Sequence, residues 1–147
     1  SVSDFANFNA FLLGERATNT RLVGNVAVGG VVGFSVYGSG NDLRRNIAEG
    51  QVGDGFAISW DATGNALEDN VARTFGTGFE IDGPGTIVHA NRSFANTGEG
   101  ITVWGHGCVL RDNLATGNGA LDLLDHVACD NTWEGNRFGS RNLICIR

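Results

Sequence analysis

The chain has no lysine and a single proline, Pro84, in 147 residues. Ten arginines against sixteen acidic residues leave a formal charge of −6, with no basic stripe for phosphate contacts. That balance argues against nucleic acid as a partner. One proline beside 23 glycines indicates many tight turns in an ordered chain, not a disordered tail. Long hydrophobic runs are missing as well: nothing approaches the roughly 20 residues of a membrane span, and there is no signal-peptide core segment. No membrane partner is expected. Phosphate loops, zinc-finger spacings and nucleophile elbows are also absent, so the familiar catalytic signatures give no starting point.

What is present is a repeat. Asn25, Asn46, Asn70, Asn91, Asn113 and Asn136 recur at gaps of 21, 24, 21, 22 and 23 residues. A second beat follows seven to nine residues later, at Gly33-Phe34, Gly55-Phe56, Gly78-Phe79, Gly100-Ile101 and Ala120-Leu121. Units of this length bury an apolar face only against their neighbours, so they stack into a solenoid. The pairs Phe34-x-Val36, Phe56-x-Ile58, Phe79-x-Ile81, Ile101-x-Val103 and Leu121-x-Leu123 have the strand period. One further column lies three residues before each asparagine (Leu22, Leu43, Leu67, Val88, Leu110, Trp133), another two residues after it (Ala27, Ala48, Ala72, Ser93, Ala115, Phe138). Three short strands per coil are implied. Glycine supplies positive φ at corners, and asparagine is among the few other residues that tolerate the left-handed region. An asparagine at the same corner of every coil can also stack its amide on the next and fix the register. Six coils at about 4.8 Å give a rod of roughly 30 Å. Phe11-x-Leu13 reads as the apolar strand of an incomplete first coil, as expected of a chain relieved of a signal segment or trimmed from a longer protein.

This pattern resembles the right-handed parallel β-helix proteins of the pectin-lyase-like superfamily, whose coils have about this length and carry a stacked asparagine at one turn. The resemblance implies an all-β fold, one right-handed parallel β-helix domain over residues 1–147. Residues 129–147 resemble the terminal coil of secreted bacterial β-helix repeat proteins, in which two cysteines pin the tail to the end of the rod. A Cys129–Cys145 bridge is thereby implied, and with it an oxidising, secreted or periplasmic location. Cys108 falls in the column of Thr20, Asn41, Asn65, Thr86 and Asn131 and reads as a buried free thiol. Related lyases bind Ca²⁺ where carboxylates of adjacent coils converge, which makes Ca²⁺ the one cofactor in view. They also require a basic residue, whereas Arg44, Arg45, Arg73, Arg92 and Arg111 flank the asparagine corner instead.

The interior of such a rod is filled by the repeat, so function is sought where outward columns depart from it. The outward columns of the long strand read Ser35, Ala57, Glu80, Thr102, Asp122 and, two residues on, Tyr37, Ser59, Asp82, Trp104, Leu124. Val32, Asp54, Thr77, Glu99 and Gly119 occupy the corner just before each beat. Asp54, Glu80, Asp82, Glu99 and Asp122 thus gather on one side, with Tyr37 and Trp104 beside them. Glu80 and Asp82, two apart on a strand, point to the same face about 6.5–7 Å apart. Glycoside hydrolysis uses a carboxyl pair of this kind, a raised-pKa acid and a partner that activates water or attacks. Glu80, Asp82 and Asp122 are therefore the candidate catalytic residues. The turn Ser59-Trp60-Asp61-Ala62-Thr63 adds about two residues to its coil and should present Trp60 and Asp61 at the rim. Tyr37, Trp60, Asp61, Glu99, Trp104 and His106 form the candidate substrate-binding set. Gly105-His106-Gly107 is similar to a motif of the polygalacturonases. Other coils carry Gly38-Ser39-Gly40 and Gly83-Pro84-Gly85 at the same corner, which is turn chemistry with a variable middle residue.

Two functional classes follow. The first is a carbohydrate-directed module that binds an extended polysaccharide or oligosaccharide on this face, with processing by a glycoside hydrolase or related activity left open. The alternative is a non-catalytic structural or interaction module, part of a larger β-helix or a homo-oligomer joined through open coil ends.

Overall fold

The computed structural model describes residues 2–4, 8–50 and 52–147, the first three by backbone alone. It is a parallel β-solenoid of about six coils with no helix among the described residues. Three parallel sheets run along the rod. The first contains Val2–Asp4, Val26–Val28, Ile47–Glu49, Val71–Arg73, Arg92–Phe94, Leu114–Thr116 and Arg137–Phe138. The second contains the longest strands, Asn9–Leu13, Val32–Val36, Asp54–Ile58 and Thr77–Ile81, followed by Ile101–Val103 and Leu123–Asp125. The third contains Arg21–Val23, Asp42–Arg44, Ala66–Glu68, Ile87–His89, Val109–Arg111 and Thr132–Glu134. Each strand pairs with its equivalent one coil away, never with its neighbour in sequence.

The interior is built from the expected columns. Phe11, Phe34, Phe56 and Phe79 stack ring on ring, with centroids 4.7, 4.7 and 4.8 Å apart. Leu43, Leu67, Val88 and Leu110 face them from the third sheet, and Ala27, Ala48, Ala72 and Ala115 from the first, all fully buried. The column is small there because the second sheet's glycines come close: a Cβ on Gly55 would lie 2.7 Å from that of Ala72.

The asparagines form a buried ladder. The Oδ1 of Asn46, Asn70, Asn91, Asn113 and Asn136 each accepts the backbone N–H of the asparagine one coil earlier, at 2.9–3.0 Å. Their side-chain NH₂ groups donate to a carbonyl of the preceding coil, as Asn70 does to Leu43 at 2.8 Å. Each amide thereby satisfies backbone groups that the corner removes from the sheet. The left-handed residue is not the asparagine but the one before it: Gly24, Arg45, Asp69, Ala90, Asp112 and Gly135 have φ of 53–66°. Its N–H then reaches the next coil, as Ala90 N–H does to Arg111 O at 3.0 Å.

The last coil differs from the sequence expectation. Ile101 pairs with Leu123 and Thr102 with Leu124, so Leu121 is not the inward residue and Asp122 does not follow Glu80 and Thr102 in the outward column. The corner before this strand holds two residues more than expected. Asp122 turns inward there, where its carboxylate accepts from Asn118, Gly139 and Ser140. Cys129 and Cys145 are bridged, with Cα atoms 5.9 Å apart, and Cys108 is a buried free thiol. The tail buries Ile146, and the Arg147 carbonyl accepts from Asn136 N–H at 2.9 Å, where a further rung would sit.

Candidate functional site

The outward face of the second sheet carries the candidate site. Its parallel register places Ser35, Ala57, Glu80, Thr102 and Leu124 side by side. Tyr37, Ser59, Asp82, Trp104 and His126 form the next column, joined by backbone bonds of 2.8–3.0 Å from each N–H to the coil before. Small residues explain the relief. Ser35, Ala57 and Ser59 lie between Tyr37 and the longer Glu80 and Asp82, leaving a hollow of about 260 Å³ with Asp54 at its edge. A second hollow of about 400 Å³ is lined by Trp60, Glu80, Asp82 and Trp104. The two share Glu80 and Asp82 and make one groove across the coils.

Corner lengths decide which side chains reach it. After the long strand, Asp82 to Thr86 and Trp104 to Cys108 span four positions, whereas Ser59 to Asn65 spans six. The extra residues lift Trp60 into solvent at 75% exposure, and Asp61 accepts the Ser59 hydroxyl at 2.8 Å, bracing that turn. The long corner also dictates the glycine beside it. A Cβ on Gly83 would lie 2.1 Å from the Ala62 carbonyl oxygen, so the first glycine of Gly83-Pro84-Gly85 is required by close approach and only the second, at φ 66°, by conformation.

Electrostatics concentrate on the same spot. Glu80 is hydrogen-bonded to Asp54, on the neighbouring coil, and its carboxyl is pushed up to about 7. Burial is the main cause, followed by the charge of Asp54, the bond to it, and the charge of Glu99. Asp54 is also raised, chiefly by burial and then by Asp82, against the stabilising bonds from Glu80 and Thr77. Asp82 is raised by burial and by Glu80, with His126 opposing. Two carboxyls this close resist ionising together, so Glu80 gives up its proton only around pH 7. Asp82 Oδ1 and the Thr102 hydroxyl are buried without a partner in the protein, among the described residues.

Of the residues singled out from the sequence, Tyr37, Trp60, Glu80, Asp82 and Trp104 line the groove, and Glu99 acts on Glu80 through its charge. Asp61 braces the rim. His106 stands apart, at an exposed corner with Nδ1 2.8 Å from Asp130. Asp122 is a correction: 4% exposed and holding the terminal coil, it presents no carboxylate to the groove. Two participants were missed. Asp54 was counted among the acids of this face but not paired with Glu80, and His126 stacks on Trp104 with centroids 3.4 Å apart and planes 6° from parallel. Among the described residues, no cluster of three or more His, Cys, Asp or Glu side chains is arranged to hold a metal ion.

The arginines lie elsewhere. Arg21, Arg44, Arg73 and Arg111 pair with Asp42, Glu68, Glu49 and Glu134 on the other two sheets, at 2.6–3.1 Å. These pairs are solvent-exposed and contribute little to stability. No protein-family description, curated protein or solved structure matches the chain.

Proposed function

We propose that the groove on the second sheet is a binding face for an extended glycan, and that the Asp54–Glu80 pair equips it to donate a proton. One observation carries this reading: two hollows joined at Glu80 and Asp82, with Tyr37 at one end and Trp60 and Trp104 at the other. Aromatic rings offer flat apolar faces to sugar rings, and carboxylates accept from sugar hydroxyls. A carboxyl that keeps its proton near neutrality has the property of a general acid, and Asp82 is the carboxylate beside it. The three-sheet coil and the buried asparagine ladder support placing the chain with the pectin-lyase-like right-handed β-helix proteins. The Cys129–Cys145 bridge supports a secreted or periplasmic location, where disulfides persist.

Titration calorimetry against a broad oligosaccharide panel tests the reading. Trp104→Ala should weaken binding by about tenfold or more while leaving the melting temperature nearly unchanged, since Trp104 is half exposed. Absence of any binding by folded wild-type protein would end it. The second reading, a structural or interaction module, rests on a different observation: among the described residues, Asn9–Leu13 and Arg21–Val23 pair on one side only, beside exposed Phe8 and Leu12. Concentration-dependent self-association without glycan binding would select it.

A further inference from the structure

We infer that the glycan taken by this face carries free amino groups, with an ammonium held among Asp54, Glu80 and Asp82 while a sugar ring lies against Trp104. The inference rests on the glycan reading above and narrows it to a substrate class.

The sign of the groove is the first ground. Asp54, Glu80 and Asp82 line it, Glu99 lies close enough to act on Glu80, and among the described residues no arginine lines either hollow. Arg16 sits beyond Tyr37, in the turn after Asn9–Leu13. A polyuronate would bring further carboxylates into a partly buried field of like charge, which costs binding energy in the low local dielectric. An ammonium group meets the opposite field.

Unmet bonding capacity is the second ground. Asp82 Oδ1 is a buried acceptor without a donor, and the Thr102 hydroxyl, in a residue 6% exposed, stands next to Glu80 in the outward column without a partner. Buried polar atoms of this kind are costly unless a partner arrives. An ammonium brings three donors and no acceptor, which suits a cluster of carboxylate oxygens. An N-acetyl group brings one donor, no charge and added bulk. His126, exposed and stacked on Trp104, is the one basic side chain against the groove among the described residues, and its charge acts on Asp82.

The Asp54–Glu80 bond makes the inference measurable in a second way. An ammonium beside the two carboxyls takes over the stabilisation that the Glu80 proton provides, so binding expels that proton to solvent.

The test is calorimetry of the folded wild-type chain, at one mildly acidic pH, with four probes: a glucosamine tetramer, its N-acetylated form, a galacturonate tetramer and tetralysine. The glucosamine tetramer should bind at least about tenfold more tightly than the N-acetylated one and more tightly than tetralysine, which has no ring for Trp104, while the galacturonate tetramer should not bind. Repeating the titration in buffers of different ionisation heat should show net proton release, lost in Glu80→Gln. Preference for the N-acetylated or uronate probe would overturn the inference and leave the glycan reading intact. Equal binding of tetralysine would show that charge alone is recognised, and would also overturn it. Proton release unchanged in Glu80→Gln would remove the ammonium from this site. Silence from all four probes, with binding of another glycan, would refute the amino-sugar class; silence from every glycan would refute both readings.

Discussion

The two corners that flank the third sheet obey different rules. At the asparagine corner every coil has the same length, the same amide and the same left-handed backbone just before it, whatever the residue there. At the corner after the long strands the coils span from four to six positions and carry Ser39, Trp60, Pro84 and His106 at or near their tips. The first corner passes hydrogen bonds from coil to coil through a side chain, so a change in one coil disturbs two others. The second is bridged less uniformly: Gly40, Gly64 and Gly85 N–H reach the next coil at 2.9–3.1 Å, but the side chain that receives a backbone N–H is an asparagine only in some coils, Asn41, Asn65 and Asn131, and Ala62 N–H returns to Ser59 O of its own coil at 2.9 Å. Regularity in this molecule marks where neighbours depend on one another, and irregularity marks where ligand contacts can be placed.

Breaking the dependent corner should give the largest effect. Asn91→Ala removes the acceptor of both Asn70 N–H and Asn70 NH₂, two buried donors at about 1–3 kcal/mol each, so denaturant unfolding should show a loss of about 2–6 kcal/mol. A loss below about 1 kcal/mol would mean that the ladder does not couple the coils. Opening the Cys129–Cys145 bridge with paired serines frees a loop of sequence separation 16 and should cost roughly 3 kcal/mol. The melting temperature of the wild type should fall in reductant and that of the variant should not. Gly83→Ala sharpens the comparison from the other corner, because its Cβ collides with the Ala62 carbonyl; a cost of about 1–3 kcal/mol is expected. Gly64→Ala, with nothing within 4 Å but φ of 63°, measures instead a purely conformational cost, which Gly83 does not carry.

The smallest effect concerns the open face. Glu80 is raised from 4.5 to about 7, so the folded chain keeps a proton that the unfolded chain releases. That contribution is complete below about pH 4.5 and is lost as the pH rises to about 7. The melting temperature should therefore decline over this window, and Glu80→Gln should flatten the decline. An unchanged slope would remove Glu80 as its source. Asp54 and Asp82, shifted in the same direction, leave a residual slope of the same sign.

Legibility in the sequence followed the same division. Asn70, Leu67, Ala72 and Phe79 announced their places because each must match its equivalents one coil away, and a stacked column repeats its chemistry. Asp122 misled because Leu121 and Leu123 both offer an inward apolar residue. The count that separates them is present, since Asn91 to Ile101 and Asn113 to Leu123 are both ten positions. The Asp54–Glu80 pairing was not legible: it joins the first residue of one strand to a residue three places further along the strand of the next coil, a diagonal that the repeat does not announce. His126 was hidden by the same slip as Asp122. Ala90 and Asp112 in left-handed backbone were also unannounced, because the ladder imposes that conformation on whichever residue precedes the asparagine.

The parallel pairing of all three sheets has a mechanical consequence. Every hydrogen bond between coils runs along the rod, so tension applied end to end loads one layer of short ladders at a time and peels the coils in succession. Pulling across the rod must instead slide whole strands past one another. The molecule is therefore stiff in its cross-section and weak along its length, and a ligand spanning several coils on the second sheet would act as a splint along the axis where the protein itself yields most readily.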